Sequence, residues 1–256
     1  MKSFIFTVDD NVRFLRELNE GDHNSIFEHP YMAMHKRLHE KYGVSVQLNL
    51  FYETEDFDLS EMTEGYRSEW RKCSDWLKMS FHSRRENVKP YEHSPYSEVS
   101  LDRLLTECAI VRFAGLESLA KTTTIHYCLL TAEGIEAVTE SGTRGLLGLY
   151  GTQDAPRTSY QTNEADGDRI RAGEIVYDAG IAYAGIDIVL NMYSTDEILQ
   201  RLHSLLGRDV IKVMIHEQYF YPDYKRYLPD FEEKLDKTFE MLTKNGYKSV
   251  FFEEII

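Results

Sequence analysis

Basic residues are in the minority in this sequence: 29 lysines and arginines stand against 43 aspartates and glutamates, a formal net charge of −14. A surface this acidic repels phosphate backbones and anionic lipid. It argues against nucleic acid and membrane surfaces as partners and leaves neutral sugars and other small molecules. Long apolar runs are also missing, and none approaches the roughly 20 residues that a membrane helix needs. The stretch before Asp9 and Asp10 holds about five or six strand-like residues, too few for the apolar region of a signal peptide. Cysteine is scarce and odd in number: Cys73, Cys108 and Cys128 each sit in an apolar-periodic segment and read as reduced core residues. No glycine-rich dinucleotide or P-loop fingerprint follows a strand-like run, and no internal repeat or low-complexity tract is visible. These absences lead to the expectation of a cytoplasmic protein folding as a single domain over residues 1–256. Its hydrophobic fraction of 42% is enough for a large core.

What is present is alternation. Strand-like runs occupy residues 3–8, 44–52, 77–81, 122–130, 145–150, 186–192, 210–215 and 247–252. Helical periodicity lies between them. Tyr31, Met34, Leu38 and Tyr42 share one face, with Pro30 in the first turn. Ser100 is placed to cap a helix carrying Leu101, Leu104, Leu105, Cys108 and Val111. Ser194 and Glu197 form a capping box for a helix ending at Gly207. Leu228, Phe231, Leu235, Phe239 and Leu242 form a stripe stopped by Asn245 and Gly246. Residues 152–173, polar and rich in Gly and Asp, read as a long surface loop or lid. Strand–helix alternation along the whole chain predicts an α/β fold, a (β/α) barrel of seven or eight parallel strands, with an open doubly wound sheet as the alternative.

Barrel sites gather at the carboxyl ends of strands. There the sequence delivers Asp9 and Asp10, then Glu53, His82, Asn191, and His216 with Glu217; His126 lies within the fourth run. Adjacent carboxylates such as Asp9 and Asp10 repel and call for a cation, a hydrogen-bond donor or water between them. A neutral imidazole at a strand end, as at His82, is a good zinc ligand. The next donor is open between His93, eleven residues on, and Glu86, one helical turn on. Pro90 argues against a continuous helix here, and histidine is the commoner zinc partner, which favours His93. His216 ends an apolar strand and can serve as a general acid. His126 is a substrate contact or a satisfied core histidine. His23, His29, His35, His39 and His203 read as solvated, with His29 able to reach the site from its loop.

These residues, in this order, resemble the NodB-homology fold of the polysaccharide deacetylases. Thr7-Val8-Asp9-Asp10 resembles that family's T-F-D-D motif, His82-Ser83 the start of its H-S-x-x-H motif, and Ile215-His216-Glu217 its late histidine motif. Residues 42–51 resemble the helix-to-second-strand passage that follows the first motif, and residues 242–256 the family's last helix, its K-x-x-G-Y turn and its closing strand. The resemblance implies a divalent metal, zinc, held by Asp10, His82 and His93, with Asp9 as base and His216 as acid. It leaves Glu53, His126, Arg144 and Asn191 as substrate contacts. Where the family has a second histidine, this chain has Glu86. The family's R-x-P-Y arginine is not evident, and Arg144 is the candidate substitute. The implied activity is hydrolytic removal of an acyl group, an N-acetyl above all, from a carbohydrate or small amide. The alternatives are a non-catalytic carbohydrate- or partner-binding descendant and a metal-dependent sugar isomerase or lyase.

Overall fold

The computed structural model describes residues 2–86, 91–152 and 154–256. Two sheets form its centre. The larger runs in the order β3 (Leu77–Ser83), β2 (Val46–Phe51), β1 (Ser3–Asn11), β9 (Val210–His216) and β8 (Ile188–Val189), and β10 (Lys248–Ser249) pairs with the start of β1. The smaller runs β4 (Thr122–Thr123), β5 (Gly145–Gly148), β7 (Ile181–Gly185) and β6 (Val176–Asp178). Every pair is parallel except β6 with β7. Helices α1 (Arg13–Glu20), α2 (Pro30–Tyr42), α3 (Arg67–Lys72), α4 (Tyr96–Phe113), α5 (Ala132–Thr139), α6 (Glu164–Arg171), α7 (Thr195–Leu205) and α8 (Phe231–Lys244) connect these strands.

The larger sheet is buried on both faces, and its strands alternate with period two. Phe4, Phe6 and Val8 of β1, Val46, Leu48 and Leu50 of β2, Leu77 and Met79 of β3, and Ile211, Val213 and Ile215 of β9 join one apolar cluster with Leu235, Phe239 and Leu242 of α8. The intervening residues face inward. They are polar along most of the sheet: Thr7 and Asp9, Gln47 and Asn49, Ser80 and His82 are all buried. The barrel interior is therefore a polar column, and that column leads to the site.

The two sheets meet at two seams. On one side the chain passes from β7 into β8, with the Ile186 amide donating to Gly148 O at 2.8 Å and the Asp187 amide to Lys212 O at 2.9 Å. On the other side the Ala120 amide donates to Met79 O at 2.8 Å and the Thr123 hydroxyl to Phe81 O. The fold is thus a (β/α) barrel whose ladder is interrupted between β3 and β4.

Several expectations need correction. β4 stops after Thr123 instead of running to residue 130. Residues 152–173 include helix α6, capped by Asn163, whose side chain accepts from the Asp166 amide. Helix α4 starts at Tyr96, so Ser100 lies inside it. Its buried face is Val99, Arg103, Thr106, Ile110 and Phe113, turned toward β3 and α5; Leu101 and Leu104 are about half exposed and Cys108 is exposed. Neither His29 nor His35 is solvated: both are buried among the helices, His29 against Glu17 at 2.8 Å and His35 in the core.

Candidate metal-binding active site

The site begins with an irregularity in β1. In a regular strand, consecutive side chains point to opposite faces. The register between β1 and β2 slips between Val8 and Asn11, and Asp10 has φ +62°. Aspartate tolerates this left-handed conformation better than most residues. The bulge turns Asp10 to the inner side, so that Asp9 and Asp10 line one cavity.

Two histidines meet Asp10. His82, at the end of β3, has Nε2 at 3.1 Å from Asp10 Oδ1 and 3.1 Å from His126 Nδ1. His126 Nδ1 is 3.4 Å from the same carboxylate oxygen. The outer nitrogen of each ring is committed: His82 Nδ1 donates to Thr124 O, and His126 Nε2 donates to Glu86 O at 3.1 Å. These bonds fix the tautomers and leave both inner nitrogens as electron pairs aimed at a carboxylate and at each other. Three acceptors so placed require a positive charge between them, either a shared proton or a cation. A tetrahedral zinc with bonds of about 2.0–2.1 Å sets its ligand atoms about 3.3 Å apart. The observed separations of 3.1–3.4 Å match that spacing, so Asp10, His82 and His126 fit a divalent cation. Gln218 Nε2 donates to the other Asp10 oxygen at 2.7 Å, which leaves Oδ1 as the available donor.

Asp9 and His216 flank this group. Burial, followed by the charge of Asp10, pushes the Asp9 carboxyl well above the usual carboxylate range; a hydrogen bond from Asn49 opposes the rise. For Asp10, burial alone would do the same, but His126, His82 and His216 outweigh it and hold its carboxyl well below that range. Adjacent carboxylates are thereby driven apart, one acidic enough to remain an anion for a cation and one basic enough to accept a proton. Burial also lowers His216, against the pull of Asp10. Its Nδ1 donates to Asn191 Oδ1 at 2.8 Å, which leaves Nε2 as the ring's other nitrogen for a partner.

Two cavities meet at this point. One of about 250 Å³ is lined by Asp9, Asp10, His82, His126 and His216. The other, of about 540 Å³, shares Asp10, Glu86 and Gln218 with it and extends to Arg16, Glu53 and Arg85. Tyr127, 51% exposed with φ +59°, lays its ring 4.2 Å from that of His126. Arg157 holds the Tyr127 carbonyl at 2.7 Å and lines the smaller cavity.

The remaining predicted residues fall elsewhere. His93 is exposed and outside the convergent group; His126 occupies the position expected of it. Glu86 contributes its main-chain carbonyl, and its side chain is exposed. Pro90 lies outside the described residues. Glu53 is held by Arg84 through two bonds of 3.1 Å. Glu217 lines the larger cavity, where its carboxylate accepts from the amides of Val12 and Phe14, both at 2.7 Å, so it caps α1. Arg144 precedes β5, at the amino end of the strand, and donates to Ile256 O at 2.9 Å; it is at the wrong end of the barrel for the site. Sequence reasoning passed over Asn49, Gln218 and Arg157. The signal for His126 was available: it lies just past a strand's carboxyl end once β4 is taken to stop at Thr123.

No protein-family model and no curated protein matches the sequence. Solved structures do match in shape. A 4-α-glucanotransferase from Thermococcus litoralis superposes with TM-score 0.64 and 15% identity over 99% of this chain, which spans 40% of that protein's length. The Bc1960 peptidoglycan N-acetylglucosamine deacetylase superposes with TM-score 0.59 and 12% identity over 99% of this chain and 87% of its own. A family 4 acetyl xylan esterase from Clostridium thermocellum, solved with a cobalt ion, gives TM-score 0.55 and 14% identity over 99% and 90%. This chain has the (β/α)-barrel fold of the polysaccharide deacetylases.

Proposed function

We propose that the protein is a metal-dependent hydrolase that removes an acyl group from a carbohydrate or a small amide. The observation that carries this reading is the convergence of Asp10, His82 and His126 at 3.1–3.4 Å, with Asp9 and His216 lining the same cavity. A bound divalent cation, zinc for this donor set, would polarise the acyl carbonyl and a water. One carboxylate and two neutral imidazoles would leave such an ion a net charge of about +1, enough for that task. Asp9 takes the proton of the attacking water. The water oxygen bonds to the acyl carbon, and the bond to the leaving nitrogen or oxygen breaks. His216, oriented by Asn191 through Nδ1, gives that leaving atom a proton taken up from solvent at Nε2, and Asp9 returns its own proton to solvent. The products are a carboxylic acid and a free amine or alcohol. The shape-related deacetylase and esterase support the acyl chemistry by analogy of fold.

The test is acetate release from N-acetylglucosamine oligomers and from acetylated xylan by zinc-loaded protein. Wild type should release acetate. Asp9→Asn should keep its zinc and lose about 10²–10⁴-fold in rate, the usual worth of a general base. Asp10→Ala should lose both zinc and activity. Zinc-loaded wild type that releases acid from no acylated substrate would defeat the hydrolase reading.

A further inference from the structure

Asp9 is 2% exposed, and among the described residues its one side-chain hydrogen bond is from Asn49 Nδ2 to Oδ1 at 2.6 Å. No arginine or lysine reaches it there. Asn49, on the inner face of β2, is itself fully buried. An amide can be turned either way round, and only its neighbours decide which end faces a carboxylate. Here they decide without ambiguity. Ser80 Oγ donates to Asn49 Oδ1 at 2.6 Å, and Gln47 Nε2 donates to the same oxygen at 2.9 Å. Gln47 is fixed in turn: its Nε2 donates to Thr122 O at 2.9 Å, and its Oε1 accepts from the Thr122 hydroxyl at 3.0 Å. The orientation passes from β4 through Gln47, on β2, with Ser80 of β3 as a second hold, to Asn49 and then to β1. Reversing Asn49 would set its carbonyl against the Asp9 carboxylate and orphan two buried donors.

We propose that Asn49 is the positioning residue for Asp9, a neutral amide locked in one orientation that determines which carboxylate oxygen Asp9 turns toward the cavity. The inference rests on the hydrolase reading for its kinetic consequence and on geometry alone for its structural one. A tether of this kind acts on the reacting geometry and not on substrate affinity or on the group that fits the metal. A displacement of about 1 Å in a reacting group is worth about 10²-fold in rate.

The experiment compares wild type, Asn49→Leu and Ser80→Ala in zinc content, in kcat and KM for acetate release, and in metal-free crystal structures. Asn49→Leu should bind zinc as wild type does, lose about 100-fold in kcat and keep KM within about twofold. Ser80→Ala, which removes one of two holds on Asn49, should lose about fivefold in kcat by the same reasoning. In the Asn49→Leu crystal structure, Asp9 should leave its wild-type rotamer. An unmoved Asp9, a fall confined to KM, or loss of zinc would overturn the assignment. If Asn49→Leu does not fold, Ser80→Ala carries the same measurements, with rotation of the Asn49 amide as its structural sign. If wild type itself hydrolyses nothing, the hydrolase reading fails alone, and the Asp9 rotamer still decides whether Asn49 tethers it.

Discussion

The two sheets of the barrel differ in construction. In the larger, β1 and β9 pair in register over seven consecutive positions from Ser3–Val210 to Asp9–His216, and the outer face is one continuous apolar cluster. In the smaller, β4 has two residues, and Tyr127 and Cys128 beyond it both take left-handed φ near +60°. Asp9, Asp10, His82 and His216 come from the larger sheet; His126 comes from beyond the shortest strand of the smaller one. The convergent Asp-His-His group therefore spans a seam that no continuous ladder closes. A well-paired sheet supplies fixed positions, and an irregular neighbour supplies the backbone freedom that brings one more side chain inward. Strain of this kind collects where the surrounding structure holds it for a purpose.

The largest expected effects test the difference in packing. Phe6, against the rings of Phe239 at 4.9 Å and His35 at 6.2 Å, lies in the core of the larger sheet. Phe6→Ala should cost about 3–5 kcal/mol in denaturant unfolding, and Leu146→Ala, in the smaller sheet, about 2. Equal costs would break the comparison. Next comes the seam. Zinc at about 100 times its dissociation constant should raise stability by about 2.7 kcal/mol in wild type and by nothing in His126→Ala, as read by thermal melts. A similar zinc increment in both would show that the ion does not bridge the sheets.

Acid sharpens the contrast from the side of the larger sheet. His35 is fully buried, with neither ring nitrogen hydrogen-bonded among the described residues, and burial lowers its pKa to about 3. The unfolded chain protonates this ring near pH 6.5 and the folded protein only near pH 3. Its contribution to stability is therefore intact above about pH 6.5 and is lost as the pH falls from there toward 3. At pH 5 the loss attributable to this residue should be about 2 kcal/mol, and His35→Leu should flatten that part of the stability profile. An unchanged profile would mean that the ring is protonated in the fold. The smallest effect concerns strain. Tyr127→Gly should raise stability by about 0.5–1 kcal/mol, because glycine adopts φ +59° without penalty. A loss of stability would mean that the ring's contact with His126 outweighs the strain.

The same contrast explains what was legible in the sequence. Strands β1, β2, β3 and β9 are apolar at alternate positions and carry Asp, Glu or His at or just past their carboxyl ends, so both their approximate extent and their cargo could be read. The smaller sheet offered no such pattern. Gly145–Gly148 is legible as part of the run 145–150, but Ile181–Gly185, which mixes glycine and alanine with Ile181 and Tyr183 and is buried throughout, is not, and α6 is a polar eight-residue helix inside a stretch that reads as loop. His126 was recognised as a candidate, but its role depended on where β4 ends. That end is set by seam contacts and two left-handed residues, neither of which has a sequence period. The sequence favours His93 over Glu86 because Pro90 argues against a continuous helix after His82 and histidine is the commoner zinc partner. The ring that meets His82 instead belongs to a residue 44 positions away.

Zinc stoichiometry in two single variants tests the central claim, that the cation site is Asp10, His82 and His126 drawn together across the seam. His126→Ala and His93→Ala proteins would be loaded with zinc, dialysed and analysed by elemental mass spectrometry beside wild type. The account predicts about one zinc per chain in wild type and in His93→Ala, and loss of bound zinc in His126→Ala. Zinc retained in His126→Ala and lost in His93→Ala would contradict it.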